Sequence, residues 1–502
     1  MCSQENNAIK QGNLLRDKGD FDGAIAAYTE SISLDSQNIE AYCARGYSYN
    51  KKGEFDRAIT DYNEAIRLNP EWFQAFRERA CVYADKGEFD KAVIDSTEAI
   101  RLNPEFAEAY HTRGYSYGRK GEFDKAIIDS TEAIRLNPEY VEAYIVRAIS
   151  YGKKGEFDRA FTDYTEAIRL NPENTKVYYN RGLTHSKKGC HDEAITDFTE
   201  AIRIDPELFQ AFRERARVYV DKGEFDKAII DSTEAIRLNP EYVLAYTTRA
   251  SAYSKKGEFD RAITDETEAI RIAPKYSVAH YNRGLTYSKK GCHDEAIADF
   301  TEVIRLAPED AEAYYSRGGV YNKKGDLDKA IADFSEAIRL NPKWFLAFYA
   351  RGSSYAEKGE FDKAIADYTE AIRLNPEYAN AYDGRGCSYG MKGDHDRAIA
   401  DYTEVIRRTP KHVEAHVERA IAYSKKGEFD KAIADCTEAI QLDPQNGRVF
   451  YVRGYSYSKK GDKAKGKADF AQAKKLGCKA KPDRNAACAL WTWLSRFFVA
   501  SR

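Results

Sequence analysis

Two methionines and four tryptophans in 502 residues, against 36 tyrosines, form an imbalance that points to repetition rather than to several unrelated domains. Cysteine is scarce as a structural device: nine is an odd number, and no Cys-x-x-Cys pair occurs. That excludes a disulfide framework and a zinc ribbon. Neither sign of charge is in excess, with 78 Lys and Arg against 81 Asp and Glu and a formal net charge of −3. Phosphate neutralisation needs a surplus of Lys and Arg, so the balance argues against nucleic acid as a partner. No apolar run approaches the ~20 residues that span a bilayer. The opening Met1-Cys2-Ser3-Gln4-Glu5-Asn6 holds no apolar core of a signal peptide, and a cytoplasmic location is the expectation.

What is present is a period. Glycine recurs every 34 residues from Gly19 through Gly53 and Gly87 to Gly461, fourteen times without a slip. Twelve of the thirteen prolines keep the same spacing, from Pro70 to Pro444. With position 1 of the first unit at Glu5, fourteen units fill 5–480, and their starts fall at 5, 39, 73, 107, 141, 175, 209, 243, 277, 311, 345, 379, 413 and 447. Residues 1–4 are then a tail and 481–502 a C-terminal extension. No unassigned stretch is long enough for a catalytic domain, so no enzyme activity and no cofactor is expected.

Each unit reads as two helices. Tyr42 and Tyr49, seven apart, share a face of a helix over 39–52. Gly53 supplies the positive φ that ends it. A second helix over 56–68 carries Ala58, Tyr62 and Ala65 on one stripe, and Asn69-Pro70 stops it. Position 14 is Lys in all fourteen units and position 18 is Asp in thirteen. These charges suit the negative end of the first helix and the positive start of the second, so the basic ladder reads as structural.

Tyr42, Arg45-Gly46, Tyr49, Ala58, Tyr62 and Pro70 resemble the pattern of the tetratricopeptide repeat family, on its 34-residue period. The resemblance implies an all-α, right-handed superhelical solenoid of antiparallel helix pairs whose first helices line a concave groove. It also implies a non-catalytic scaffold or adaptor that binds proteins or extended peptides there.

Departures from the family pattern are informative. Position 7 is Arg and position 23 is Asp in thirteen units, as in Arg45 and Asp61, Arg79 and Asp95, Arg113 and Asp129, and Arg181 and Asp197. The one unit without the Arg (Gln11) also lacks the Asp (Ala27), so an ion-pair ladder is expected, within a repeat or across to the next. Position 24 loses its aromatic at Ser96, Ser130, Ser232, Glu266 and Cys436, and those repeats are expected to be the softer ones.

By the resemblance, positions 2, 5, 6, 9, 12 and 13 face the groove. Position 5 holds Arg77, His111, Tyr179, Arg213, Tyr281, Tyr315, Tyr349 and Tyr451, and position 9 holds Tyr47, Tyr115, Arg217 and Tyr455. Tyr and Arg are enriched at binding hot spots. The carboxylate clamp of co-chaperone members needs Lys at position 5 and Asn at position 9. No unit has that Lys, and Asn13 is accompanied by Ile9, so docking of a chaperone tail is disfavoured. Other members grip peptide backbone with Asn at position 6, matched here by Asn180 and Asn282.

Motifs that suggest chemistry fall on ordinary repeat positions. Gly461-Asp462-Lys463-Ala464-Lys465-Gly466-Lys467 has phosphate-loop spacing, but Ala468 lacks the hydroxyl for magnesium and the segment is an inter-helix turn. His412 and His416, Cys190-His191 and Cys292-His293 are too few to hold a metal. In the C-terminal extension Ala487, Leu490, Trp491, Leu494 and Phe498 are spaced as a helix that would cap the last repeat. Two further readings follow: membrane recruitment of a scaffold through that amphipathic helix, or a regulatory subunit for an enzyme on another chain.

Overall fold

The computed structural model describes residues 2–478, and the C-terminal helix expected over 481–502 lies outside them. Among the described residues the chain is 28 α-helices with no strand, and helix starts recur every 34 residues from Ile39 onward. The first helix, α1 (Cys2–Asp17), begins before the expected boundary. Residues 2–4 continue it, since none of Cys2, Ser3 and Gln4 is a Gly or Pro that would break the helical path.

Local chemistry sets each hairpin. In α5 (Phe73–Lys86) the helix ends at Gly87 with φ 83°, the left-handed conformation that favours glycine. In α4 (Phe55–Leu68) it ends at Asn69 with φ −140° and ψ 96°, the extended geometry imposed on a residue before proline. Exposed i, i+3 pairs such as Glu64 with Arg67 (2.6 Å) run along the outer face of the second helices.

The chain divides into two units, Met1–Pro240 and Glu241–Arg502, each built from consecutive helix pairs. Within either unit every helix packs on the next. First helices also touch the first helix of the following pair, as α5 does with α7 (Ala107–Lys120) and α15 (Val243–Lys256) with α17 (Ser277–Lys290). Among the described residues, second helices make no comparable contact with one another. The core bridges repeats: Ala58, Tyr62 and Ala65 of α4 bury against Ala75 and Val82 of α5. Burying one such large side chain contributes roughly 1.5–3 kcal/mol.

A coupling between positions 8 and 24 sizes that core. Where position 24 is aromatic, position 8 is Gly in eight of nine repeats (Ala148 with Tyr164 is the exception). Where it is not, position 8 is Ala in four of five (Gly114 with Ser130 is the exception). The reason is space. A Cβ on Gly182 would stand 2.8 Å from Phe198 Cε1 and 2.9 Å from its Cδ1. Gly182→Ala is therefore expected to destabilise α12 (His191–Ile204). Overpacking costs ~1–3 kcal/mol, against the ~1 kcal/mol of helix propensity that Ala gains over Gly. On a Phe198→Ser background, which recreates the Ala80–Ser96 combination, Gly182→Ala should cost little or nothing. Additive effects in the double-mutant cycle would refute the coupling.

The non-aromatic repeats fill the gap differently. Ser96, Ser130 and Ser232 are fully buried, and the long position-5 side chains Arg77, His111 and Arg213 occupy the same repeats. Each of those serine hydroxyls lies buried without a hydrogen-bond partner among the described residues, which is unfavourable.

Candidate ligand face and ion-pair framework

All thirteen position-7 arginines clasp the Asp sixteen residues later. Nε and Nη2 each donate to a different carboxylate oxygen at 2.6–2.9 Å. Arg45 thus holds Asp61, Arg79 holds Asp95, Arg113 holds Asp129 and Arg181 holds Asp197. The ion pair is internal to a repeat. Its remaining nitrogen reaches backward: Arg45 Nη1 donates to Thr29 Oγ1 at 3.0 Å and Arg317 Nη1 to Thr301 Oγ1 at 2.9 Å. The first repeat, with Gln11 at this position, is the one without the Arg.

Burial and pairing compete at the carboxylates. At Asp61, burial outweighs the Arg45 fork and raises the carboxyl. At Asp435, burial also works upward, but Arg419 together with His416 pulls the group below its usual range. His416 in turn is raised by the nearby Asp435 carboxylate, 3.8 Å from its Nδ1.

A second ladder joins repeats. The position-14 Lys bonds the position-18 Asp of the preceding repeat, as in Lys86–Asp56 (2.7 Å), Lys120–Asp90 (2.7 Å) and Lys154–Asp124 (2.6 Å). The sequence suggested only that each charge suits a helix end. The 30-residue pairing arises from stacking, and its exposed partners contribute little to stability.

Along the first helices the candidate groove residues take three kinds of environment. Tyr47 and Tyr455 are exposed, with Lys51 and Lys459 over their rings. Tyr115 is half-buried and its hydroxyl accepts from Arg119 at 2.8 Å. A second group serves packing. Tyr179 lies against Phe198, Tyr281 against Phe300, Tyr315 between Phe334 and Trp344, and Tyr451 against Phe470. Tyr349, expected in the groove, is 7% exposed between Tyr368 and Tyr378. A position-5 ring meets the position-24 ring of its own repeat, so this position is drawn into the core wherever both are aromatic.

The third group is polar and spoken for. Arg77 pairs with Glu78 (2.5 Å), Arg213 with Glu214, and Arg217 with Glu214 (3.1 Å) and Ser186 (2.9 Å). Burial and the charge of Arg77 push His111 down to about 4. Asn180 donates to the Lys176 carbonyl of its own helix at 2.8 Å. Burial raises the Glu266 carboxyl to about 9 against a smaller downward pull from Asn282, and its Oε2 has no partner among the described residues. Sequence reasoning saw Glu266 only as a weak packing residue, although a Glu in an aromatic slot is itself the signal of a neutral, buried acid.

The discounted motifs have local roles. Gly461 ends α27 (Gly447–Lys460), and Asp462 caps α28 (Lys463–Lys475) by accepting from Lys465 N. His412 caps α25 (Val413–Lys426) through Ala415 N at 3.1 Å, whereas His416 lies by the Pro410 carbonyl. Cys190 and Cys292 sit at the starts of second helices. Among the described residues no three His, Cys, Asp or Glu side chains gather as a metal site, and no helix is long and apolar enough to cross a membrane.

Comparison with solved structures gives the APC/C hetero-tetramer Cut9-Hcn1 at 16% identity, covering 90% of this chain and 96% of that one, with a TM-score of 0.43. Yeast Tom70 matches at 17% identity over 87% of this chain and 98% of its own, TM-score 0.39. YrrB, described as a TPR protein with an unusual peptide-binding site, matches at 26% identity over 37% of this chain and 95% of its own, TM-score 0.33. No curated protein matches the chain. Family models described as TPR repeat match residues 12–53, 150–189 and 352–393. Models described as tetratricopeptide repeat match 213–277 and 281–343, 39–71, 175–208 and 413–446, and 78–106, 107–140, 379–412 and 447–476. With every helix pair wholly or partly inside one of these matches, the chain belongs to the tetratricopeptide repeat family.

Proposed function

We propose that the chain is a non-catalytic scaffold or adaptor that binds a protein or an extended peptide along the face formed by its first helices. The observation that carries this is the asymmetry of packing: first helices touch each other along each unit, and second helices do not. Stacking of that kind curves a layer of helices toward the first-helix side, which leaves a concave surface for a partner. The exposed rings of Tyr47 and Tyr455 and the half-buried Tyr115 support the same reading, since they are large side chains the core does not consume. The proposal includes fourteen repeats over 5–480, with 481–502 as a cap.

Photo-crosslinking tests it. A crosslinker placed on the first helices should capture partners from the wild type and lose them in Tyr47→Ser, Tyr115→Ser, Tyr455→Ser. Captured partners unaffected by these changes would place binding on another face.

A further inference from the structure

Three adjacent first helices each carry three Lys or Arg residues and almost no acid. The first helices α15, α17 and α19 (Ala311–Lys324) contain one acidic residue among them, Glu312. Their basic residues sort cleanly. Arg249, Arg283 and Arg317 are held by Asp265, Asp299 and Asp333. Lys256 pairs with Glu258, Lys290 with Asp260 and Lys324 with Asp294. These contacts occupy the acidic side chains of the neighbouring turns.

Lys255, Lys289 and Lys323 are left over. They stand at position 13 of three successive repeats and have no ion pair, hydrogen bond or ring contact among the described residues. Lys255 and Lys289 are exposed, and Lys323 is half-buried. Burial and then the charge of Lys255 lower Lys289, and burial lowers Lys323, so these ammonium groups lack stabilising partners. Beside them on the same helix face, positions 9 and 12 are mostly small or polar: Ser251, Ser254, Ser288, Gly319 and Asn322. Asn322 is 5% exposed, and its Oδ1 is unpartnered.

The contrast with other repeats is specific. Arg77 and Arg213 are neutralised by the next residue on the same helix. At position 13, Arg119 bonds Tyr115, Lys187 donates to the Gly152 and Lys153 carbonyls, and Lys51 and Lys459 lie over tyrosine rings. Lys153 and Lys425 are exposed too, but each stands alone between repeats whose position 13 is engaged or uncharged, so only 255, 289 and 323 form a consecutive row.

We propose that Lys255, Lys289 and Lys323 form a binding track for an extended acidic peptide segment, whose carboxylates replace the counter-charges these helices lack. The track rests on the first-helix face being the binding surface. Packed helices lie about 8–10 Å apart, and a chain in polyproline II geometry advances ~3.1 Å per residue with three residues per turn, so every third side chain shares a face. Acidic side chains at every third residue therefore match the lysine spacing. The neutral balance of the whole chain favours a peptide over a nucleic acid.

The test uses the full chain and a labelled synthetic peptide with Glu at every third position among Gly and Ser, alongside the same peptide with Gln. Fluorescence anisotropy at about 0.1 M salt, where the Debye length is ~10 Å, reads the affinity. Wild type should bind the Glu peptide and not the Gln peptide. Lys255→Glu, Lys289→Glu, Lys323→Glu together should weaken binding at least about tenfold with an unchanged circular-dichroism melt. The matching triple Arg variant should retain binding. Equal binding of both peptides, no binding by wild type, an unaffected triple variant, or tighter binding of a single-stranded RNA oligonucleotide would each overturn the track. If tyrosine-dependent crosslinks persist while the peptide result fails, the lysine assignment alone falls. Crosslinks indifferent to the tyrosines remove the face itself.

Discussion

Arg317→Ala is expected to lower the stability of its repeat by about 3 kcal/mol, at the lower end of what breaking a buried pair costs. The change strips the two 2.8 Å bonds to Asp333 and the 2.9 Å bond to Thr301 of the preceding repeat. Asp333 is only 9% exposed at its side chain, so the remaining carboxylate cannot turn to water. A lysine cannot reproduce the fork, so Arg317→Lys should recover little. Removing both charges with Arg317→Met and Asp333→Leu should recover much, because the cost lies in the stranded charge. A repeat touches only its neighbours, so hydrogen exchange in α19 and α20 (Leu327–Leu340) reports the loss better than a global midpoint. An Arg317→Ala protein within about 0.5 kcal/mol of wild type would show that the clasps are ornamental.

Glu266→Gln should act in the opposite direction. Glu266 is 1% exposed, and burial pushes its carboxyl from 4.5 up to about 9, so the folded repeat keeps a proton that the unfolded chain gives up. The stability linked to this group is fully present below pH 4.5 and is lost progressively as pH rises toward 9. At pH 7 the loss is about 3 kcal/mol, at ~1.4 kcal/mol per pH unit above the unfolded value. Glutamine keeps the shape without titrating. The variant should match wild type near pH 4.5 and exceed it by about 2–3 kcal/mol near neutrality. Urea unfolding at both pH values checks this, and a difference independent of pH would contradict a buried neutral acid.

Much of this architecture was legible before any coordinates. Gly53 and Gly87 mark positive φ, and Pro70 forces Asn69 into extended geometry. Tyr42 and Tyr49 mark a face, because those signals act over a few residues of backbone. The pairing of Arg45 with Asp61 was legible for a different reason: both are missing together from the first repeat. The candidate binding face was read less well. Tyr281, Tyr315 and Tyr349 share a position with Arg77 and His111, and nothing local reveals that a ring there leans on the position-24 ring of its second helix. Lys255, Lys289 and Lys323 passed unnoticed, because a lysine stands out only once its neighbours' partners are known.

The sequence by itself determined the helices, their ends and their 34-residue recurrence, since backbone preference and amphipathic spacing are properties of short stretches. Tertiary structure alone decided which charges meet and which remain free. Lys86 finds Asp56 thirty residues back, and Gly182 makes room for Phe198 sixteen residues ahead. Contacts of that reach depend on how one hairpin closes and stacks on the next, which no local preference encodes.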